Sequence, residues 1–396
     1  MSTSAQLTPP SRLVSLDALR GFDMFWILGA DSLVVALGAL SQSRPIRAIA
    51  DQLEHKEWAG FAFYDLIFPL FVFIVGVSLV FSLTQSLART PRATVVKRIL
   101  RRAAILFVLG IFYNGGLSHA WPDVRMAGVL QRIALAYAAT ALLFCFCKPR
   151  QLAAAGVALL LGYWALMTFV PIRDFQLERH LLVERLPGVP LTSRKVPERA
   201  PVQALYDATT TTVTGRFDPG LNLADHLDFR FLPGAMHDGY YDPEGLLSTL
   251  PAIGTCLLGV FAGLCLQRAD ASDRRKLQQL LIAGAVCLAV GWLWNLQFPV
   301  IKKIWTSSYV LVAGGWSFLL LALFYYVVDV RQHRTWCQPF VWIGMNPITL
   351  YLASSVLSFY GVANRIVGGS IKQWFDAHLV SGAGGILVTL VSLLIV

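Results

Sequence analysis

The run AFYDLIFPLFVFIVGVSLVFSLTQS (62–86) contains a single ionisable residue, Asp65. A bilayer core of about 30 Å takes about 20 apolar residues of helix, so this run is long enough to span one. Its apolar residues are continuous and do not alternate, which argues against a transmembrane barrel strand. Comparable stretches lie at 20–40, 102–116, 126–147, 151–171, 246–267, 277–297, 308–329, 338–360 and 379–396. Together they predict an all-α, polytopic transmembrane bundle of about ten helices, with the third and tenth spans short. Composition agrees: the 396 residues are 56% hydrophobic and 14% charged, whereas a soluble domain carries about 25% charge.

The net charge of +10 invites a nucleic-acid reading. The positions of the charges argue against it. Loop 87–102 holds Arg89, Arg92, Lys97, Arg98, Arg101 and Arg102, and loop 268–276 holds Arg268, Arg274, Arg275 and Lys276. Lys148, Arg150, Arg331 and Arg334 fall in the other even-numbered loops, while the alternate short loops are poorer in Lys and Arg. This is the positive-inside pattern. It places both termini in the cytoplasm and loops 41–61, 117–125, 172–245, 298–307 and 361–378 on the far side. The opening MSTSAQLTPP is polar and has no basic start before an apolar run, so the first helix is expected to stay as an anchor.

One membrane domain, 1–396, is expected, with 172–245 inserted as a far-side loop between helices 5 and 6. Its first half carries Pro187, Pro190, Pro197 and Pro201 and reads as irregular. Its second half, ending GLNLADHLDFRFLPGAMHDGYYDPEG (220–245), mixes aromatics with charge and is expected to fold back over the membrane face. The far-side loops contain no cysteine, so no disulfide is expected. Cys145 and Cys147 would point to different faces of their helix, so no metal site is expected there.

Ionisable groups at membrane depth cost about 2.5–3.5 kcal/mol each and are the first candidates for function. The opening helix carries Asp17, Arg20, Asp23 and, deeper, Asp31. Asp17 and Arg20 are three residues apart and can pair on one face; Arg20 either fixes that helix end or contacts an anionic cofactor. Asp31 has no basic residue within a turn and serves either a site or a buried hydrogen bond. His55 precedes the second helix, and alone would read as a surface residue. Trp58 suits a membrane interface, and Asp65 suits a helix start as a cap. If His55, Asp31 and Asp65 converge, they form the base, carboxylate and orienting partner of general acid–base chemistry. His119, His180, His226, His237, His333 and His378 read as surface or interfacial residues. Lys302 and Lys303 read as interface anchors before Trp305.

At these residues the chain resembles a known family. SLDALRGFDMFWILGAD (15–31) and HKEWAGFAFYDLIFPLFVFIVGVS (55–78) resemble the opening blocks of the heparan-alpha-glucosaminide N-acetyltransferase family. RILRRAAILFVLG (98–110), RMAGVLQRIALAY (125–137), NLADHLDFRFLPGAMHDGYYDPEGLLSTLPAI (222–253), KKIWTSSYVL (302–311) and GMNPITLYL (344–352) follow in the same order. Asp17 to Gly21 also resembles the D-x-x-R-G opening of a broader superfamily of transmembrane acyltransferases. The resemblance implies transfer of acetyl from cytosolic acetyl-CoA to the amino group of a glucosamine-type sugar across the membrane. It implies catalytic roles for His55, Asp31 and Asp65, with Asp31 standing where the animal enzymes have Asn. Arg20, Arg98, Arg101, Arg102 and Asn346 are the residues expected to hold acetyl-CoA, although orientation in the bilayer also accounts for the arginines. Trp58, Asp228, His237, Asp242 and Glu244 are expected at the acceptor sugar. The luminal domain of the animal enzymes is not seen before the first helix, so a bacterial inner membrane and an acceptor other than heparan are expected. The expected partners are acetyl-CoA, an amino sugar or oligosaccharide and the lipid bilayer, with no nucleic acid and with a homodimer left open. An amino-sugar transporter and an O-acyltransferase of envelope glycans are the competing readings.

Overall fold

The bundle opens with α1 (Val14–Leu40), followed by α2 (Arg44–Leu53), α3 (Phe63–Arg89), α4 (Arg92–Tyr113), α5 (Val129–Phe146) and α6 (Pro149–Phe169). The computed structural model describes residues 13–40, 43–118, 120, 123–185, 199–379 and 382–395. The insertion after α6 contains strand β1 (Ile172–Arg173), α7 (Arg179–Arg185), α8 (Arg199–Ala208), strand β2 (Thr212–Val213) and α9 (Leu223–Phe231). The chain returns to the bundle with α10 (Thr249–Gln267), α11 (Asp273–Trp294) and α12 (Ser307–Phe324), which runs on through a π-helical turn to Val330. It ends with α13 (Gln338–Met345), α14 (Pro347–Val356), α15 (Phe359–Val367), α16 (Ser370–His378) and α17 (Ala383–Ile395).

The all-α polytopic class stands: α3, α5, α6, α10, α11 and α12 are each long and apolar enough to cross a bilayer. The expected spans differ in detail. The stretch 338–360 is not one helix but α13 and α14, broken at Asn346 (φ −133°, ψ 50°). Proline after Asn346 clashes with an αR conformation there and supplies no N–H to continue the ladder. The expected loop 87–102 is mostly the first half of α4, which carries Arg98, Arg101 and Arg102. An apolar window stops at the first arginines, whereas the helix continues through them. Expected loops 41–61 and 361–378 likewise contain α2 and α15–α16. The last helix, α17, has 13 residues.

Close packing rests on glycine. A Cβ on Gly344 of α13 would lie 1.9 Å from the Asp17 carbonyl oxygen of α1, and one on Gly259 of α10 would lie 1.9 Å from the Phe73 oxygen of α3. Helices packed through small residues bring their backbones together, which is how association is stabilised where lipid removes the hydrophobic drive. The α3–α10 seam continues into a buried core of Leu70, Phe73, Ile74, Val77, Ala262 and Phe318.

In the first half of the insertion, residues 186–198, with Pro187, Pro190 and Pro197, lie outside the described residues, and the described remainder is more regular than expected. β1 pairs antiparallel with β2, and α7 and α8 pack with α9 around Phe175, Leu182, Val202, Tyr206 and Phe229. His226, expected at a surface, is buried within this core, donating Nε2–H to the Phe175 carbonyl (3.1 Å) and accepting at Nδ1 from Tyr206 Oη (3.1 Å). Burial pushes its imidazole down to about 4, so it stays neutral. Two short bridges fasten the loops at this end. Ala59 pairs with Ile301, and Arg125 pairs with Gly234.

Candidate active site

Asp65 sits at the third position of α3 and is buried, with 1% of its side chain exposed. Its Oδ2 accepts from the backbone N–H of Ala62 (3.0 Å) and Lys56 (3.3 Å), so it caps the helix. Its Oδ1 lies 2.9 Å from His55 Nδ1. Pro69 lies one turn further along α3 and has no N–H to give the Asp65 carbonyl. Tyr309 Oη of α12 donates to that carbonyl instead, at 2.7 Å. The His55 ring stacks on Tyr64, with centroids 4.4 Å apart and planes 17° apart.

The next group is one that sequence reading placed at the membrane interface. Lys302 Nζ lies 2.8 Å from His55 Nδ1, 2.9 Å from Nε2 and 3.7 Å from Asp65 Oδ1. A neutral imidazole has one donor nitrogen and one acceptor. With Asp65 at Nδ1, that nitrogen carries the hydrogen and Nε2 is the acceptor, while Lys302, nearly equidistant from both nitrogens, sits over the ring. Burial lowers the Lys302 ammonium to about 8, against the opposing pull of Asp65 and Glu244. Loop 298–307 reaches His55 through the Ala59–Ile301 bridge and the Gly60 N–H to Val300 oxygen bond (2.9 Å).

Beside this pair lies a charged cluster from three other segments. Arg125 binds Asp242 through two hydrogen bonds of 2.8 Å and Glu244 through one of 2.7 Å. Burial opposes the Asp242 charge, but Arg125 outweighs it and holds the carboxyl below its ordinary range. Glu244 is pushed up by burial and by Asp242. His237 donates its backbone N–H to Asp242 (2.9 Å), and its ring meets Asp238 (2.9 Å), which pairs with Lys303 at 2.8 Å. Asp228 is 1% exposed and accepts from the Leu246 N–H at 2.8 Å. Burial raises it to about 7. Asp228 and Asp242 thus spend their oxygens on holding the 242–246 turn, while the largely buried Glu244 stays paired with Arg125 and the His237 ring is exposed. Trp58 gives its indole N–H to the Phe217 carbonyl (2.7 Å) and ties the His55 loop to the insertion.

The expected cofactor residues meet at the opposite end of α3. A cavity of about 330 Å³ is lined by Arg20, Ser78, Ser82, Arg102, Asn346 and Thr349 over an apolar floor that includes Phe71, Ile74 and Leu106. Arg98, Arg101 and Arg102 line a second space of about 490 Å³ with Ser82 and Ser86. Arg20 pairs with Asp17 (3.0 Å) and also donates to Ser78 Oγ (2.7 Å) and the Gly344 carbonyl (3.1 Å), so it both fixes the α1–α13 contact and faces the cavity. Thirteen residues of α3 separate Asp65 from Ser78, about 20 Å at 1.5 Å per residue. Between the two ends, the fully buried Arg132 of α5 binds Ser248 Oγ and stacks on Trp305, with its guanidinium carbon 4.8 Å from the ring centroid. Its Nε and Nη1 have no hydrogen-bond partner among the described residues. Asp31 lies on α1, and its side chain falls outside the described residues, as does His119.

Sequence reading missed Lys302, Arg125, Arg132 and Tyr309. All four lie inside blocks that carry the family resemblance, which was the available signal; spacing alone could not show that they converge.

Residues 12–182 match the family model described as heparan-alpha-glucosaminide N-acetyltransferase, catalytic. The chain is 30% identical over 343 residues to the human heparan-alpha-glucosaminide N-acetyltransferase, covering 78% of this chain and 49% of that one. It is 29% identical over 330 residues to the mouse protein of the same name, covering 78% and 50%. The chain therefore spans about half the length of the curated relatives it matches.

Proposed function

We propose that this chain, whose residues 12–182 match the family model described as heparan-alpha-glucosaminide N-acetyltransferase, catalytic, is a transmembrane N-acetyltransferase. It takes acetyl from acetyl-CoA on the cytoplasmic side and delivers it to the amino group of a glucosamine-type sugar on the other side. The observation that carries this reading is the placement of two unlike sites at the two ends of one helix: an arginine-lined cavity beside Ser78 and a His55–Asp65 pair about 20 Å away. The basic end suits the phosphates of acetyl-CoA, since guanidinium groups bind phosphate through paired charge-assisted hydrogen bonds. Arg20, Arg102 and Asn346 would hold the near part of the cofactor, with Arg98 and Arg101 at the mouth. The two unpartnered N–H groups of Arg132 offer donors to the amide carbonyls of the arm on its way through the bundle.

In this reading, the acceptor amine attacks the thioester in its uncharged form, and His55 Nε2 takes the one proton the nitrogen then loses. Asp65 fixes the Nδ1–H tautomer and supports the imidazolium that forms. The carbon–sulfur bond breaks, and CoA leaves as the thiol after taking that proton. Glu244, with His237, faces the cationic sugar. Transfer is direct in this reading, which requires the bundle to admit both substrates at once between the Ser78 cavity and His55. The membrane is a bacterial inner membrane, both termini are cytoplasmic, and residues 1–396 act as one domain with 172–245 on the far side.

The test is radiolabelled acetyl-CoA supplied to membranes bearing the protein, with glucosamine as acceptor. Label on the amine is expected. Label on a hydroxyl would make the protein an O-acyltransferase, and uptake of glucosamine without acetylation would make it a transporter. His55→Ala is expected to abolish transfer while leaving the protein folded; near-normal turnover in that variant removes the assignment. Acetylated His55 trapped on acetyl-CoA alone would replace direct transfer with a two-step route.

A further inference from the structure

Lys302 places a primary amine where the reaction needs the acceptor's amine. Its Nζ lies over the edge of the His55 ring, 2.8 Å from Nδ1 and 2.9 Å from Nε2, the nitrogen that Asp65 leaves free to accept a proton. A general base must lie within hydrogen-bond reach of the proton it removes, and Lys302 meets that requirement with no sugar bound. The side chain is not sealed off: 20% of Lys302 and 48% of His55 remain exposed. Its neighbour Lys303 differs, since its ammonium is held by Asp238 at 2.8 Å.

We propose that Lys302 is an internal acetyl acceptor, modified by acetyl-CoA at this site when no sugar occupies it. The inference rests on the reading of the site as an acetyltransferase. In the step, the uncharged Lys302 nitrogen attacks the acetyl carbonyl and forms a carbon–nitrogen bond. His55 Nε2 takes the proton from that nitrogen, the carbon–sulfur bond breaks, and the departing thiolate takes the proton to become CoA thiol. The products are an Nε-acetyl-lysine amide and free CoA; no further reactant is needed. The amide has lost its positive charge and no longer hydrogen bonds His55 as an ammonium. The modification therefore records turnover attempted without acceptor, and sugar that occupies the site protects against it.

The groups facing Lys302 set the pH response: Asp65 and His55 from the α3 end, Glu244 from the insertion and Lys303 beside it. The uncharged amine is the nucleophile, so the rate of modification rises with pH through about 8 and levels above it.

Purified full-length protein is incubated with acetyl-CoA alone, and acetyl marks on each lysine are followed by peptide mass spectrometry. Transfer to glucosamine is measured in parallel. Lys302 is expected to be marked at least about tenfold faster than Lys303 or the exposed Lys56, which report background chemistry. Saturating glucosamine is expected to suppress the mark, and His55→Gln to bring Lys302 down to the rate of Lys56. Marking of Lys302 at the rate of Lys56 in the wild-type protein overturns the proposal. If glucosamine is acetylated while Lys302 stays unmarked, this inference alone fails. If neither is acetylated, the acetyltransferase reading fails with it.

Discussion

Asp65 uses its two oxygens for two purposes. One caps α3 through the Ala62 N–H, and the other meets His55 Nδ1. The cap and the catalytic partner are thus compatible readings of one carboxylate. Asp65→Asn keeps a cap oxygen but loses the charge that supports an imidazolium and the fixed tautomer. It is expected to lower kcat for acetyl transfer by about 10²–10⁴-fold with little change in KM; unchanged kcat would show that His55 acts without it. Tyr309 stands behind the same helix turn. Tyr309→Phe leaves the Asp65 carbonyl without a partner, because Pro69 cannot supply one. An unsatisfied buried carbonyl costs about 1–3 kcal/mol, and the loss is expected as a lower unfolding temperature in detergent, with kcat also falling as Asp65 shifts. Retention of both would show that the carbonyl finds another donor.

At the scale of elements, α4 joins two tasks in one helix. Its first half presents Arg98, Arg101 and Arg102 to the polar space beside α3, and its second half is apolar. Arginine stems lie along apolar surface while their heads stay in water, so the expected positive-inside orientation and the proposed anion binding would use the same side chains. Arg101→Gln with Arg102→Gln is expected to raise KM for acetyl-CoA by about tenfold or more while kcat holds. A fall in kcat with KM unchanged would take these arginines out of cofactor binding. The α1–α13 seam admits no such exchange. Gly344→Val would place side-chain atoms against the Asp17 carbonyl, where even a Cβ comes within 1.9 Å. Overpacking of this kind costs about 1–3 kcal/mol or more, and the same shift would move Arg20, which donates to the Gly344 oxygen. Lower thermal stability and weaker acetyl-CoA binding should therefore appear together; stability loss with intact binding would separate the seam from the cavity.

Across the whole molecule, the insertion after α6 completes the site from outside the bundle. Asp228 holds the 242–246 turn that presents Glu244, and burial raises its carboxyl from the ordinary range to about 7. The folded protein therefore binds this proton more tightly than the unfolded chain does. Stability from this group is present at low pH, below the unfolded value of 3.8, and falls as pH rises from there to about 7. Asp228→Asn keeps an uncharged group in place and is expected to flatten that part of the stability profile, measured by thermal unfolding between pH 5 and 8 in steps of about one unit. An unchanged profile would show that the carboxylate is charged in the folded state.

The sequence by itself determined the class of the molecule and named several residues of the candidate site. Continuous apolar runs dictate spanning helices because no other segment satisfies its backbone in lipid. The cost of charge at that depth singled out Arg20, and the block around His55 and Asp65 carried the family likeness. It did not determine where helices end, because apolar windows stop at arginines that α4 runs through and pass over the Asn346–Pro347 break. Nor did it show which distant loops meet. Lys302 reaches His55 through a bridge between residues 59 and 301, and Arg125 reaches Asp242 across 117 residues of chain. Those contacts depend on how the ends of separate helices are brought to one face, and side-chain chemistry within a single segment carries no record of that. The tertiary structure alone therefore decided that the lysine expected at the lipid interface lies against the histidine expected to do the chemistry.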